Sequence, residues 1–307
     1  MTFLSLIVAA MLPFTTPCFD VTVDHHVPYA SADGYYTHAP VGDKGATFKL
    51  LFHSGIPKPV TLEMDIYRPV GAPETPRPLL LFIHGGSFFI GNKEEPGPEG
   101  WCRHFASLGY VAVSIDYRLG FHAIKSEIRA AEYRALEDAD AALDYLLRRE
   151  DLSIDPDCIF VAGTSAGAIT ALNLAFRLYG NAPMTPVKPR RARDFRIRSV
   201  GNLWGGVHDL AVLTNAAVSI LSFQSEKDPV MPYDFGYPLG WAGRLFSEPV
   251  YGTHAIYEKA VSIGLRAEHH PCTEARHRLY LDDNLQYTSR FYEIRDAMTQ
   301  FFAEEMK

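Results

Sequence analysis

The stretch CIFVAGTSAGAITALNLAF, Cys158 to Phe176, decides how this chain is read. A short apolar run, Ile159 to Ala162, breaks at Gly163-Thr164-Ser165-Ala166-Gly167, and apolar helix formers follow. The run reads as a buried strand and the sequence behind it as a helix. A serine between the two can cap a helix, and glycines are common in any turn. The pair of glycines two residues either side of Ser165 suggests more. Residues without side chains permit a bend tight enough to expose the serine oxygen.

Working outward, RPLLLFIHGG (Arg77–Gly86) is a continuous apolar run, the form taken by a central strand covered on both faces. YVAVSIDY (Tyr110–Tyr117) is another, with a helix expected between them near Gly100 to Leu108. VTLEMDIYRP alternates, placing Leu62, Met64 and Ile66 on one face of a half-buried, antiparallel strand. Leu136, Ala139, Leu143, Leu146 and Leu147 recur at helical spacing within a stretch from about Glu127 to Arg149. Further strands are expected near SVGNLWGG, SILSFQSEKD and RAEHHPC, and helices near His254–Leu265 and Tyr287–Met306. Strands that then alternate with helices predict an α/β fold, a mostly parallel doubly wound sheet with helices on both faces. Such sheets bind ligands outside the carboxyl ends of their strands. Ser165, HGGSF (His84–Phe88) and SEKD (Ser225–Asp228) all fall at such ends.

Composition bounds the function. The chain has 307 residues, 47% of them hydrophobic, enough for a large core, and a formal net charge of −7. That balance lacks the basic excess expected of a nucleic-acid binder or a protein held on anionic membrane. Lys188, Arg190, Arg191 and Arg193, set among Pro183, Pro186 and Pro189, read as a solvated loop. The opening MTFLSLIVAAMLPF is apolar and uncharged but short for a membrane span. It reads as part of a secretory signal over residues 1–18, although no Lys or Arg precedes it. A signal would make the protein secreted or periplasmic; without one it is cytoplasmic. Cys18 in TTPCFD also raises a lipid-attachment site, against which Pro17 stands. Cys18, Cys102, Cys158 and Cys272 match no zinc spacing, and their pairing stays open.

The converging segments suit acyl chemistry. A serine hydroxyl needs a base to take its proton, an acid to orient that base, and donors for the oxyanion formed on attack. The amide of Ala166, opening the helix, is one such donor. Gly85, Gly86 or Ser87 supply others if the glycines turn their amides into the site. His84 reads as a structural group that holds this loop. Four histidines follow Asp228 in the chain: His254 in a helical stretch, His269 and His270 in a strand, and His277 in the loop after it. The adjacent pair points to opposite faces of its strand, which argues against joint chelation of a metal.

HGGSFFIGNK, GYVAVSIDYRLG, IDPDCIFVAGTSAGA and SEKDPVMPY occur in an order that resembles the α/β-hydrolase superfamily. The chain is similar to carboxylesterases of the group that includes hormone-sensitive-lipase-like esterases and bifunctional feruloyl and acetylxylan esterases. The resemblance spans roughly Val60 to Phe302 and implies one α/β-hydrolase domain over residues 19–307. It implies a triad in the order Ser165, Asp228, His277, with Glu226 as the alternative acid, and needs no cofactor or metal. Asp116 and Arg118 of DYRLG are then structural. The partner implied is a small-molecule or polysaccharide-linked ester, with no nucleic acid and no stable membrane insertion. Short-chain or aromatic acyl groups, including acetyl and feruloyl esters of plant polysaccharide, fit a site with little room for a cap. Tyr233, Phe235, Tyr237, Trp241 and Phe246 are expected to wall the pocket. Three positions depart from the usual pattern: Ser87 stands for a third glycine, Thr164 for an acid, and Gln224-Ser225 for the common His-Gly. A serine peptidase of the same fold and a non-catalytic esterase-like binding protein are the rival readings.

Overall fold

In the computed structural model, which describes residues 13–39, 56–122, 125–177, 195–214, 217–245 and 247–307, RPLLLFI forms β3 (Arg77–Ile83). Leu79, Leu81 and Ile83 enter one apolar cluster, and Leu80 and Phe82 enter a second across the sheet. A period of two places successive side chains on opposite faces, so a run without polar breaks demands cover on both.

That cover comes from helices on each side. The remaining strands of the main sheet are β1 (Val21–Gly34), β2 (Lys58–Pro69), β4 (Val111–Ile115), β5 (Ile154–Thr164), β6 (Ile197–Leu203) and β7 (Ser219–Ser225). A two-stranded ribbon of β8 (Phe235–Gly236) and β9 (Val250–Tyr251) stands apart, and β10 (Ala267–Cys272) closes the sheet. The order is β1-β2-β4-β3-β5-β6-β7-β10. β2 runs antiparallel to both neighbours, and the other pairings are parallel. On one face lie α1 (Pro96–Ser107) and, at the C-terminal end, a helix over Ser289–Glu304. Trp101, Phe105, Phe291, Met298 and Phe302 pack there against Leu80, Phe82 and Phe160. Phe160 stacks on Phe302 with ring centroids 4.7 Å apart. On the other face lie α2 (Lys125–Leu146), α3 (Ala166–Arg177) and α4 (Thr253–Ser262), which bury Ala139, Leu143, Leu172 and Ile256. The C-terminal helix is α5. The doubly wound, mostly parallel sheet expected from the sequence is the one that forms.

Two local differences have physical causes. β1 is a 14-residue edge strand that the sequence pattern did not announce. Its alternation is polar, with His25, His26 and Pro28, and an edge strand tolerates proline because it has no neighbour to pair on one side. β2 is not simply half-buried: Asp65, on the side opposite Leu62 and Met64, is also fully covered. Its carboxylate meets His25 Nδ1 at 2.7 Å, the His26 amide at 2.9 Å and Lys93 Nζ at 3.4 Å, so the buried charge is paired.

Of the N-terminal segment, only Pro13 onward lies within the described residues. Phe14 packs edge-on against Tyr110 at 5.7 Å, and the Cys18 amide donates to the Ser107 carbonyl. Cys102, Cys158 and Cys272 are buried free thiols and Cys18 is an exposed one. Among the described residues no helix is long and apolar enough to cross a membrane. The basic cluster Lys188–Arg193 and Phe246 lie outside the described residues.

Because β3, β5 and β7 run parallel, the loops that follow them leave the same edge of the sheet. Those loops begin at His84, Ser165 and Glu226. The chain leaving β10 reaches the same edge with His277.

Candidate active site

Ser165 occupies the single residue between β5 and α3, with φ of 51°. Left-handed backbone is costly for a residue with a side chain, and here the surrounding structure holds it. The Ser165 amide donates to Leu203 O at 2.8 Å, and its carbonyl accepts from the Ile169 amide. The flanking glycines are required by close approach. A Cβ on Gly167 would lie 2.0 Å from the Ile83 carbonyl oxygen, and one on Gly163 would lie 2.4 Å from the Gly167 carbonyl carbon. The strand–turn–helix therefore packs backbone against backbone. We expect Gly167→Ala to cost about 3 kcal/mol or more of stability, since neither partner is a movable side chain. Urea unfolding checks this; a midpoint equal to that of the unsubstituted protein would refute the packing argument.

His277 Nε2 lies 2.9 Å from Ser165 Oγ. Its Nδ1 lies 2.9 and 2.8 Å from the two oxygens of Asp228. Asp228 is covered, with 1% of its side chain exposed, while His277 keeps 19%. The carboxylate is fixed by its own turn: Oδ1 also accepts from the amides of Val230 (2.8 Å) and Met231 (3.0 Å). Of the alternatives, Glu226 is exposed. His254 pairs with Asp234 and stacks on Tyr233. His269 meets Thr253 on one face of β10, and His270 stacks on Phe223 on the other, as their adjacency requires. None of these three contacts Ser165.

Gln224 and Ser225, which the sequence comparison marked as departures, carry structural roles. Gln224 Nε2 donates to the carbonyls of Met231 and Pro232, at 3.0 and 3.2 Å. Its Oε1 accepts from the Thr253 amide and hydroxyl. The amide thus ties the Asp228 loop to the start of α4. Ser225 Oγ donates to the Glu274 carbonyl and accepts from the Lys227 amide, tying the Asp228 loop to the His277 loop. Trp204, itself at φ 47°, stacks on Tyr280 and presents an edge to the His277 ring at 6.2 Å. Sequence reading had no signal for Trp204 beyond its place at a strand end.

The loop after β3 is strained and pinned. Gly86, Ser87 and Phe88 all have positive φ (107°, 56° and 61°). The Gly86 carbonyl accepts from the amides of Phe89 and Ile90, each at 2.9 Å. Among the described residues no hydrogen bond occupies the amides of Gly86 or Ser87. Ala166 opens α3, where first-turn amides have no partner within the helix. Ser87 and Ala166 share a cavity wall with Ser165, whereas Gly85 and Gly86 are not among the lining residues. Gly85 serves proximity instead: a Cβ there would lie 2.9 Å from the Thr164 carbonyl oxygen. His84 is buried beneath this loop, stacked on Tyr117 at 4.4 Å with Nδ1 2.7 Å from the Gly85 carbonyl. Burial lowers its pKa to about 4, so it is a neutral prop.

Asp116 fixes the far end of the same loop. Its Oδ1 accepts from the Lys93 amide at 2.7 Å. Burial would lower the pKa of the Lys93 ammonium, but Asp116 and Asp65 together hold it raised. Arg118 is locked to Asp138, whose Oδ2 accepts from the Arg118 amide at 2.7 Å and whose Oδ1 lies 2.8 Å from Nε. Both DYRLG residues are structural, as expected.

The cavity in front of Ser165 encloses about 330 Å³. Its walls are Phe88, Phe121, Ile128, Ile169, Met231, Leu239 and Val250, with Ser87, Glu132, His208, Ser247 and Glu248 as polar members. The segment from Pro232 to Tyr251 does wall it, but through Pro238, Leu239, Gly243 and Val250 rather than the expected aromatics. Trp241 is 84% exposed and Phe235 is 56% exposed and set against Tyr251. Phe235 lies on the ribbon β8–β9, and Trp241 lies on a single helical turn over Gly240–Gly243.

Known esterases resemble this chain over part of its sequence and in its fold. The chain is 33% identical over 121 residues to gut esterase 1 of Caenorhabditis elegans, a match covering 38% of this chain and 21% of that protein. It is 35% identical over 115 residues to the para-nitrobenzyl esterase of Bacillus subtilis, covering 34% of this chain and 23% of that protein. The matched stretches thus span less than a quarter of either relative. Among solved structures, esterase 2 of Thermogutta terrifontis phosphorylated by paraoxon superposes with a TM-score of 0.58 at 21% identity. That match covers 80% of this chain and 89% of the other, and the shared fold is that of the α/β-hydrolases. The BD-FAE family model matches residues 64–228, from β2 through the Ser165 turn to Asp228. That span is more than half of the chain, and the chain belongs to the BD-FAE family.

Proposed function

We propose that the protein is a serine carboxylic-ester hydrolase acting through Ser165, His277 and Asp228. The observation that carries this reading is the unbroken relay from Ser165 Oγ through both nitrogens of His277 to the covered carboxylate of Asp228. His277 Nε2 takes the hydroxyl proton as Oγ attacks the ester carbonyl. Asp228 holds Nδ1–H, which fixes the tautomer and stabilises the charged ring. The carbonyl oxygen, now negative, is held by the amides of Ala166 and of the Gly86–Ser87 turn. Collapse expels the alcohol with the proton from His277 and leaves an acyl group on Oγ. Water, deprotonated by the same histidine, releases the acid and restores Ser165. No step requires a metal or cofactor.

The substrates we propose are short-chain or aromatic acyl esters, acetyl and feruloyl esters of plant polysaccharide among them. A cavity of about 330 Å³ with mostly apolar walls accepts an aromatic ring or a short alkyl chain. The test is a series of p-nitrophenyl esters of increasing acyl length at sub-micellar concentration, with methyl ferulate and acetylated xylan alongside. Acetyl, butyryl and aromatic esters are expected to exceed decanoyl and longer esters in kcat/KM. Faster turnover of the long chains would overturn this preference.

A further inference from the structure

One part of the cavity is not apolar. Glu132 sits one helical turn beyond Ile128 on α2, so both side chains meet the same space. Across from it is His208, in the loop after β6. His208 Nε2 lies 3.1 and 3.2 Å from the two Glu132 oxygens, and its Nδ1 lies 2.9 Å from the Pro249 carbonyl. Each of the two side chains is 11% exposed, and what exposure they have borders the cavity that Ser165 also lines. The pair joins two elements far apart in sequence and is not part of the relay at Ser165.

We propose that Glu132 and His208 form a recognition subsite for a hydroxyl group on the part of the ester that enters this cavity. The inference rests on the ester-hydrolase reading above, and the chemistry follows from what surrounds the carboxylate. A carboxylate accepts up to about four hydrogen bonds, and the contacts to His208 and Arg129 leave capacity facing the cavity. Arg129 Nη1 lies 2.5 Å from Glu132 Oε2 and its Nε lies 3.4 Å from Glu248 Oε2. The two acids are therefore bridged by a guanidinium, and with His208 also against Glu132 each carboxylate already has a nitrogen partner, so the site does not call for an ammonium group. A neutral donor suits the site, and a hydroxyl can give its proton to Glu132, whose position His208 fixes by bridging it to the Pro249 carbonyl. Phe88, Ile128, Ile169 and Met231 line the cavity that this pair shares with Ser165, and they suit an aromatic or alkyl spacer. Burying a carboxylate beside such walls is costly unless a polar group meets it, so a ligand without the hydroxyl leaves Glu132 poorly solvated.

The test compares two matched pairs: methyl 4-hydroxycinnamate with methyl cinnamate, and methyl 6-hydroxyhexanoate with methyl hexanoate. The pairs separate a phenolic from an aliphatic source of the hydroxyl. The hydroxylated member of at least one pair is expected to have a kcat/KM higher by about 10-fold or more. That ratio is expected to fall to about one in Glu132→Leu and to recover in part in Glu132→Gln, which keeps one acceptor oxygen. Thermal unfolding of each variant checks folding; if Glu132→Leu does not fold, a fall of the ratio by at least about threefold in Glu132→Gln or His208→Leu decides. Dissociation constants of the same esters for Ser165→Ala, by quenching of intrinsic fluorescence, give the ratio without turnover. If no ester is hydrolysed the ester-hydrolase reading falls, and the binding ratio alone decides the subsite. Ratios near one in both pairs, or a preference that survives loss of Glu132 and of His208, would overturn the proposal.

Discussion

Replacing Ser165 with alanine is expected to lower kcat for a soluble aryl ester by about 10³-fold or more while leaving the fold intact. The expectation follows from the division of labour at the site. The oxyanion donors and the cavity persist in the variant, so some acceleration over water remains. The covalent route is lost, because among the described residues no other hydroxyl is hydrogen-bonded to His277 Nε2. Stability is expected to hold, since alanine removes only Oγ from a residue whose backbone bonds to Leu203 and Ile169 are unchanged. Circular dichroism and urea unfolding establish the fold, and steady-state rates on p-nitrophenyl acetate establish the loss. A folded variant with near-normal turnover would remove Ser165 from the mechanism.

The second large effect concerns the base. His277→Gln is expected to abolish turnover to a similar degree, because members of a triad act as a unit. His254→Gln is the informative companion. His254 has its own carboxylate partner, Asp234, and so resembles half of a relay, yet it stacks on Tyr233 and lacks contact with Ser165. Its loss is expected to leave a substantial fraction of the rate. A dead His254 variant beside an active His277 variant, both folded, would require the relay to be redrawn.

The sequence made some of this legible and hid the rest for physical reasons. Ser165 was readable because its constraint is local: a turn that packs backbone against backbone must have glycine at 163 and 167, whatever the rest of the fold does. The central strands were readable because burial on both faces leaves an unbroken apolar run. His277 and Asp228 were reachable only once the order of elements placed their loops at the edge where β5 ends. Gln224 and Ser225 looked like missing pieces of a familiar pattern, since their use as ties between loops depends on partners 29 and 49 residues away. Glu132 and His208 gave no signal, being 76 residues apart and individually ordinary. β1 was missed because polar alternation at an edge resembles a loop. The aromatics of the 232–251 segment misled because aromatic rings suggest a pocket wall, whereas Phe235 and Trp241 stay largely exposed and Pro238, Leu239 and Val250 line the cavity.

Covalent capture identifies the nucleophile independently of turnover. The protein is incubated with a modest excess of paraoxon, digested, and its peptides sequenced by mass spectrometry. One diethylphosphoryl group is expected on Ser165, formed in proportion to the loss of esterase activity and formed far more slowly in His277→Gln. Stoichiometric inactivation with the adduct on another residue, or equally rapid labelling of Ser165 without His277, would contradict that expectation.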